Sequence, residues 1–360
     1  MKTKVLLTVA LLIFTLQFTI AQTVHTVDNR LESGAEHQTL SSAITAASPG
    51  DIIYIHPSPD NYGSITINKT ITLVGPGHNP LNSSGLRATL STITFTTDSA
   101  DSVIKGLNVN SITVLGTYGL TNIGNIHIIN NRITNTVSGW FNGGAVSGDW
   151  IIEGNYFDTY ESSVDIDING SDNWIISNNI LEGTIYDPNR TTLISNNLFI
   201  NADASGGAEI LRNSNDPSSP PLVTNNMFIF TDADVTNISS SGTQPILYTD
   251  CLIWNSAEGA ASDMDPLPGN NNLNNVDPVF SNIPTSLYDI YNNDYTLGAG
   301  SPAIGATNDG GDIGIFGRNF PFDTNGRPHS MPYPTLMNIL NSVVQPGQNL
   351  SVEFKASQKN

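Results

Sequence analysis

The sequence predicts an all-β fold: a single-stranded, right-handed parallel β-helix, a solenoid closed at its N-terminal end by an amphipathic helix. Three observations carry that prediction. A short β-type motif recurs down the chain. The composition holds only 12% charged residues, with Asn, Ser, Thr and Gly abundant, which suits turns and hydrogen-bonded polar side chains more than charged helices. One helical pattern stands ahead of the repeats.

Taken in chain order, the leader comes first. Lys2 and Lys4 precede an apolar run from Val5 to Ile20, and Ala21 offers a small residue at the cleavage position. Residues 1–21 are therefore expected to be a signal peptide, and the protein to be secreted: extracellular, on a bacterial cell surface, or periplasmic. Thr8, Thr15 and Gln17 interrupt the run, and no later stretch approaches a membrane span, so no membrane insertion is expected. Cys251 is the only cysteine, so burial must hold the fold together without an internal disulfide. Lys2 and Lys4 are two of the 13 basic residues, so the chain after Ala21 carries 11 basic against all 32 acidic residues, a net charge of −21. That surface excludes nucleic acid as a partner. It would also repel a polyanionic glycan unless a cation such as Ca²⁺ bridged the two.

The stretch "TLSSAITAASPGDIIYIHP" (39–57) has Leu40, Ala43, Ile44 and Ala47 at helical spacing. Pro49-Gly50 closes it before an apolar strand, Ile52–Ile55. An amphipathic helix here suits the open apolar end of a solenoid.

The repeats follow: "VIKGLNV" (103–109), "IINNRI" (128–133), "IIEGNYF" (151–157), "IISNNIL" (175–181), "LISNNLF" (193–199) and "LVTNNMF" (222–228). Aligned on Leu107, Asn131, Asn155, Asn179, Asn197 and Asn226, their spacings are 24, 24, 24, 18 and 29 residues. Three residues before each anchor stands Ile104, Ile128, Ile152, Ile176, Ile194 or Val223. Two after it stands Val109, Ile133, Phe157, Leu181, Phe199 or Phe228. No copy can bury its own apolar side chains; stacked as parallel strands ~4.8 Å apart, the copies bury both columns continuously. The Asn anchors tolerate a left-handed backbone at a sharp turn and can link coils through their amides. Asn125, Asp149 and Asn173 form a second ladder in phase, and Trp150 and Trp174 beside it share parity with the core.

The run from Ala43 to Gly77, with "DPVFSN" (277–282) and "YTLGAGSPAIGATNDGGDIGIFG" (295–317), resembles the opening and closing segments of secreted right-handed parallel β-helix proteins of the pectate-lyase-like superfamily. The resemblance spans roughly residues 23–320 and places the β-helix at 22–320. Its members include lyases, hydrolases, epimerases and proteins without known chemistry; its enzymes use an elongated groove on one sheet face. What it implies here is fold and polysaccharide association, not an activity. Residues 321–360 read as a Pro-rich connector with a short strand at 350–357.

Candidate chemistry comes from the alignment. Lys105, Arg132, Glu153 and Tyr156 fall on three consecutive coils, with His127 and Asn108 beside them as substrate-binding candidates. Elimination of a uronate needs a base and a charge neutraliser, so Arg132 or Lys105 would serve as base or neutraliser and Tyr156 as acid. The alternative is a surface ion pair with an ordinary turn tyrosine. A second candidate is "SSVDIDINGSDNW" (162–174). Period-2 alternation would send Val164, Ile166 and Ile168 inward and leave Asp165, Asp167 and Asn169 outside. Those three suit a Ca²⁺ site or, for the two aspartates, a hydrolytic carboxylate pair. The bland reading is a solvated strand face. Two functions stay open: a polysaccharide lyase or glycoside hydrolase acting on an extended extracellular glycan, or a non-catalytic extracellular solenoid for glycan binding, adhesion or surface structure. A monomer is expected.

Overall fold

A computed structural model describes residues 22–31, 33–116, 123–141, 144–145, 147–159, 164–169, 171–201, 209–212, 220–232, 234–238, 245–257, 264–284, 286–317, 320–328, 332–340, 347 and 349–358. The leader, residues 1–21, lies outside them.

The described chain is a parallel β-helix, as the repeats require. One sheet of 11 strands runs from Val24–Val27 through Val103–Lys105, His127–Ile129, Ile151–Glu153 and Ile175–Ser177 to Gly269–Asn270. We call it the first face. A sheet of 13 strands supplies the other two. Its long strands bend: Arg132–Ser138 pairs with Tyr156–Phe157 through its start and with Val164–Asp167 through its end. The start of each coil's run forms the second face and the end forms the third. The pairing of 128–133 with 151–157 is parallel and in the register of the alignment, Ile128 opposite Ile152 and Ile133 opposite Phe157.

Both apolar columns are buried, from Ile104 through Val223 and from Val109 through Phe228. Like residues stack: the rings of Phe199 and Phe228 lie 4.9 Å apart at 15°, and those of Trp150 and Trp174 4.8 Å apart at 13°, fully buried. The tryptophans are core, as their parity indicates. Helix α1 (Leu40–Ala46) packs Leu40, Ala43 and Ile44 on the N-terminal coils, and Thr39 caps it by accepting from the Ser42 N–H at 3.2 Å.

The paired asparagines divide their labour in a way the alignment did not separate. The left-handed residue is the one before the anchor: Asn130, Asn178, Asn196 and Asn225, with Gly106 and Gly154 in the same column, have φ between 54° and 70°. The anchor carries the ladder instead. Asn131, Asn155, Asn179 and Asn197 each donate Nδ2 to the next anchor's Oδ1 at 3.0–3.1 Å, and that same oxygen accepts the backbone N–H of the residue on the coil before.

The left-handed asparagines have a second task. The C-terminal segment turns back along this corner through residues 313–317 and 320–328. Asn196 donates to Gly314 O, Asn178 to Ile315 O and Gly317 O, and Asn130 to Arg327 O. Where the column holds Gly the segment comes closer. A Cβ on Gly154 would lie 2.7 Å from the Phe320 ring, and one on Gly106 2.7 Å from Pro328. The segment and the loop before it bury a second apolar cluster on the outside of the second face: Tyr156, Ile180, Leu198, Met227 and Leu252 against Ile290, Tyr295, Ile313, Ile315 and Phe322. Further on, Tyr333–Ile339 and Val352–Ser357 pair antiparallel.

Candidate functional site

The corner divides the six residues of the candidate lyase cluster between two faces. Lys105, His127 and Glu153 lie on the first face; Asn108, Arg132 and Tyr156 lie on the second, with Arg132 directly opposite Tyr156. Burial then separates them further. Tyr156 is 3% exposed beneath the C-terminal cover, and its hydroxyl donates to Glu182 Oε1 at 2.8 Å. Burial and the neighbouring Glu182 and Asp158 carboxylates push its pKa far up. A phenol so placed cannot meet a polymer, which corrects its reading as a substrate-facing acid. Arg132 spends its guanidinium on Asp158, at 2.6 Å from Nε, and on Asn108 Oδ1, at 2.6 Å from Nη1. Its charge is neutralised inside the protein. Glu153 accepts from Ser177 Oγ at 3.0 Å, and burial raises its pKa. Burial lowers Lys105 and His127, and His127 meets Asn125 Oδ1 at 3.1 Å.

The aspartate stretch is also rearranged. A register shift between Val164 and Ile166 breaks the alternation, so Asp165 and Ile166 are both fully buried. Asp165 accepts from Thr159 Oγ1 and, through Oδ2, from the Gly183 N–H at 2.8 Å; burial raises its pKa to about 7. It is a structural group rather than the exposed cation ligand the alternation suggested. Asn169 takes the left-handed turn conformation, φ 46°.

Asp167 does face outward, and its neighbours on the third face complete a row. Val137, Ile166, Ile185 and Leu211 point inward, so their successors Ser138, Asp167, Tyr186 and Arg212 stand outside, each opposite the next on consecutive coils. Toward the N-terminal end Thr94 and Thr113 continue it, hydroxyl to hydroxyl at 3.4 Å. Ser138 Oγ donates to Asp167 Oδ2 at 3.2 Å. Burial, with Asp187 adding its charge, raises the Asp167 pKa. The Arg212 guanidinium sits 4.5 Å from the centre of the Tyr186 ring, and its Nη1 is 3.7 Å from Glu209. Two polar atoms in the row, Asp167 Oδ1 and Arg212 Nε, are buried without a hydrogen-bond partner among the described residues. One is an acceptor and the other a donor, and they stand two coils apart, ~9.6 Å along the axis. Trp140, 38% exposed, follows the row at Ser138.

Sequence reasoning found Asp167 and missed Ser138, Tyr186 and Arg212. Outward parity beside each inward apolar residue was the available signal, but it needs the third-face register.

A separate cleft of about 620 Å³ lies between the second face and the covering segment, lined by Trp254, Phe280, Leu287 and Tyr288 with Thr231 and Asp277. Asp277 is the one carboxylate among the described lining residues, and Trp254, Phe280 and Tyr288 offer stacking surface.

No family model matches the sequence, and no curated protein matches it. Among solved structures, an alginate lyase from Paenibacillus sp. str. FPU-7 is similar, at 16% identity and a TM-score of 0.39. The match covers 66% of this chain and 93% of that one.

Proposed function

We propose that the protein is exported and engages an extended polysaccharide along its third face, through Ser138, Asp167, Tyr186 and Arg212. The observation that carries this is the outward, partly exposed row itself, with the Asp167 carboxylate, the Tyr186 phenol and the Arg212 guanidinium on consecutive coils of one face. A sugar complements both charged groups: hydroxyls to donate to the Asp167 carboxylate and acceptors for the partly exposed Arg212 guanidinium. Tyr186 between them offers a ring for the sugar's C–H face and a hydroxyl. The outside of the second face is taken up by the chain's own C-terminal segment over much of its length.

If the row is catalytic, elimination is the chemistry it favours. Arg212 would face the uronate carboxylate and withdraw charge as the C5–H bond breaks. Tyr186 would relay the C5 proton to the departing O4 as the C4–O4 bond breaks and the C4=C5 double bond forms. Asp167, its pKa raised, orients a hydroxyl or donates.

A non-catalytic reading keeps its own observation. An outward row on the first face runs Val103, His127, Ile151, Ile175, Leu193, Leu222, with Ile175 38% and Leu222 57% exposed, and such an apolar stripe suits adhesion or surface assembly. A depolymerase screen separates the two. Uronate polymers are followed by the absorbance of an unsaturated product and neutral glycans by new reducing ends. Unsaturated product that disappears in Tyr186→Phe supports elimination. Silence on both panels with glycan binding retained leaves the binding solenoid, and loss of binding to every glycan removes the polysaccharide reading.

A further inference from the structure

We propose a transition-metal site, fitted to zinc, at the N-terminal end of the β-helix, with His25, Glu36 and His37 as its ligands. His25 lies on the first strand, Val24–Val27, and His37 is held against that strand by a parallel bridge to Val27, with Asp28 N–H donating to His37 O at 3.0 Å. One ligand atom from each of His25, Glu36 and His37 lies within 4.8 Å of the others. His25 Nδ1 is 3.3 Å from Glu36 Oε2 and His37 Nε2 3.6 Å from Glu36 Oε1. Donors bound at ~2.0–2.1 Å around a tetrahedral zinc stand about 3.3–3.5 Å apart, so a set whose atoms lie within 4.8 Å of one another would draw together on the ion, with the exposed Glu36 side chain free to follow.

The second observation is that the two nitrogens lack any other task. His25 is 6% exposed, yet neither its Nδ1 nor His37 Nε2 makes a hydrogen bond among the described residues, although both are buried. The approach to Glu36 lacks hydrogen-bond geometry, so proximity alone does not satisfy them.

The outer partners have the arrangement that fixes a metal-binding imidazole. His25 Nε2 lies 3.3 Å from Asp51 Oδ2, so the ring proton belongs there and the Nδ1 lone pair is left for a cation. Asp51 is itself held, Oδ1 by the Thr23 N–H and Oδ2 by the Ser48 N–H, both at 2.8 Å. His37 Nδ1 is 3.4 Å from the hydroxyl of Ser42, in the first turn of α1. Two imidazoles and a carboxylate suit zinc better than Ca²⁺ or Mg²⁺, whose ligands are oxygens. Water would complete the tetrahedron. Bound there, the ion ties the first strand, the 33–37 segment and the capping helix together where the solenoid would otherwise fray.

The test uses tag-free protein, stripped with EDTA and titrated with ZnCl₂. Metal content and affinity are measured after desalting, and Co²⁺ absorption reports the geometry. The expected result is one zinc per chain, a melting temperature raised by a few degrees at a hundredfold excess over the dissociation constant, and intense tetrahedral Co²⁺ bands. His37→Gln should abolish all three, and Asp51→Asn should weaken affinity about tenfold or more by releasing the His25 ring. Far-UV circular dichroism confirms that both variants fold; if either does not, His25→Gln and Glu36→Gln take its place. Absence of stoichiometric zinc, or zinc retained equally by wild type and His37→Gln, would overturn the proposal and mark any binding as adventitious on an acidic surface.

Discussion

Asp165 and Asn179 show what single side chains do inside the wall of the solenoid. Asp165 has a folded pKa of about 7 against an ordinary 3.8, because burial outweighs the Thr159, Gly183 and Glu182 donors that favour its ionised form. The folded state thus binds the proton more tightly than the unfolded one. Its contribution to stability is complete below pH ~4 and is lost as pH rises through ~7, up to about 4 kcal/mol. The melting temperature of wild type should therefore fall between pH 5 and 8, and that fall should flatten in Asp165→Asn; an unchanged slope would refute it. Since Asp165 is saturated, Ca²⁺ should not shift the melting of wild type and Asp165→Asn/Asp167→Asn differently. Asn179 donates to Ile152 O and Asn197 Oδ1, and accepts from the N–H and side chain of Asn155. Asn179→Ala should cost about 3 kcal/mol in denaturant unfolding, because it leaves buried partners unmet.

The neighbouring residue tests an element instead of a rung. Asn178 already has a left-handed backbone and donates to Ile315 O at 2.9 Å and Gly317 O at 3.0 Å. Asn178→Gly keeps the turn and removes only the hold on the returning segment. Hydrogen exchange should speed up at 313–317 while the coil strands stay protected, with global loss limited to about 1–2 kcal/mol. How far each element could be read from sequence follows from its spacing. On the six aligned coils the first-face strands and the start of the second face lie within four residues of the anchor, so aligning anchors aligned them. The third face does not: Ser138 follows its anchor by seven residues, Asp167 by 12, Tyr186 by seven and Arg212 by 15. Loops of varying length intervene: a fixed 24-residue offset would set Phe141 and Gly143 against Asp165 and Asp167, whereas Ser138 stands opposite Asp167. The cover over the second face did leave a trace. The column Tyr156, Ile180, Leu198, Met227 turns apolar on an outward face, which a solvated strand would not do. Alternation failed at Asp165 because one bulge shifts the faces, and period-2 reasoning has no means of seeing it.

At the scale of the whole molecule, a net charge of −21 after the leader sets the conditions under which the third face can work. Arg212 is one cation in a repulsive field, so affinity for a uronate polymer should rise as salt screens that field, while affinity for a neutral glycan should hardly change. Titrations at two ionic strengths check the sign. The central claim is that the Asp167–Tyr186–Arg212 row meets the polysaccharide and that the Arg132–Tyr156 pair does not. Affinity electrophoresis across a panel of neutral and uronate glycans tests it most directly, with wild type, Tyr186→Ala, Arg212→Ala and Tyr156→Phe compared on the glycan that wild type retains. The account predicts at least a tenfold loss for each third-face variant, about 1.4 kcal/mol, and near wild-type retention for folded Tyr156→Phe. Wild-type retention by Tyr186→Ala and Arg212→Ala, or a selective loss in Tyr156→Phe, would contradict it.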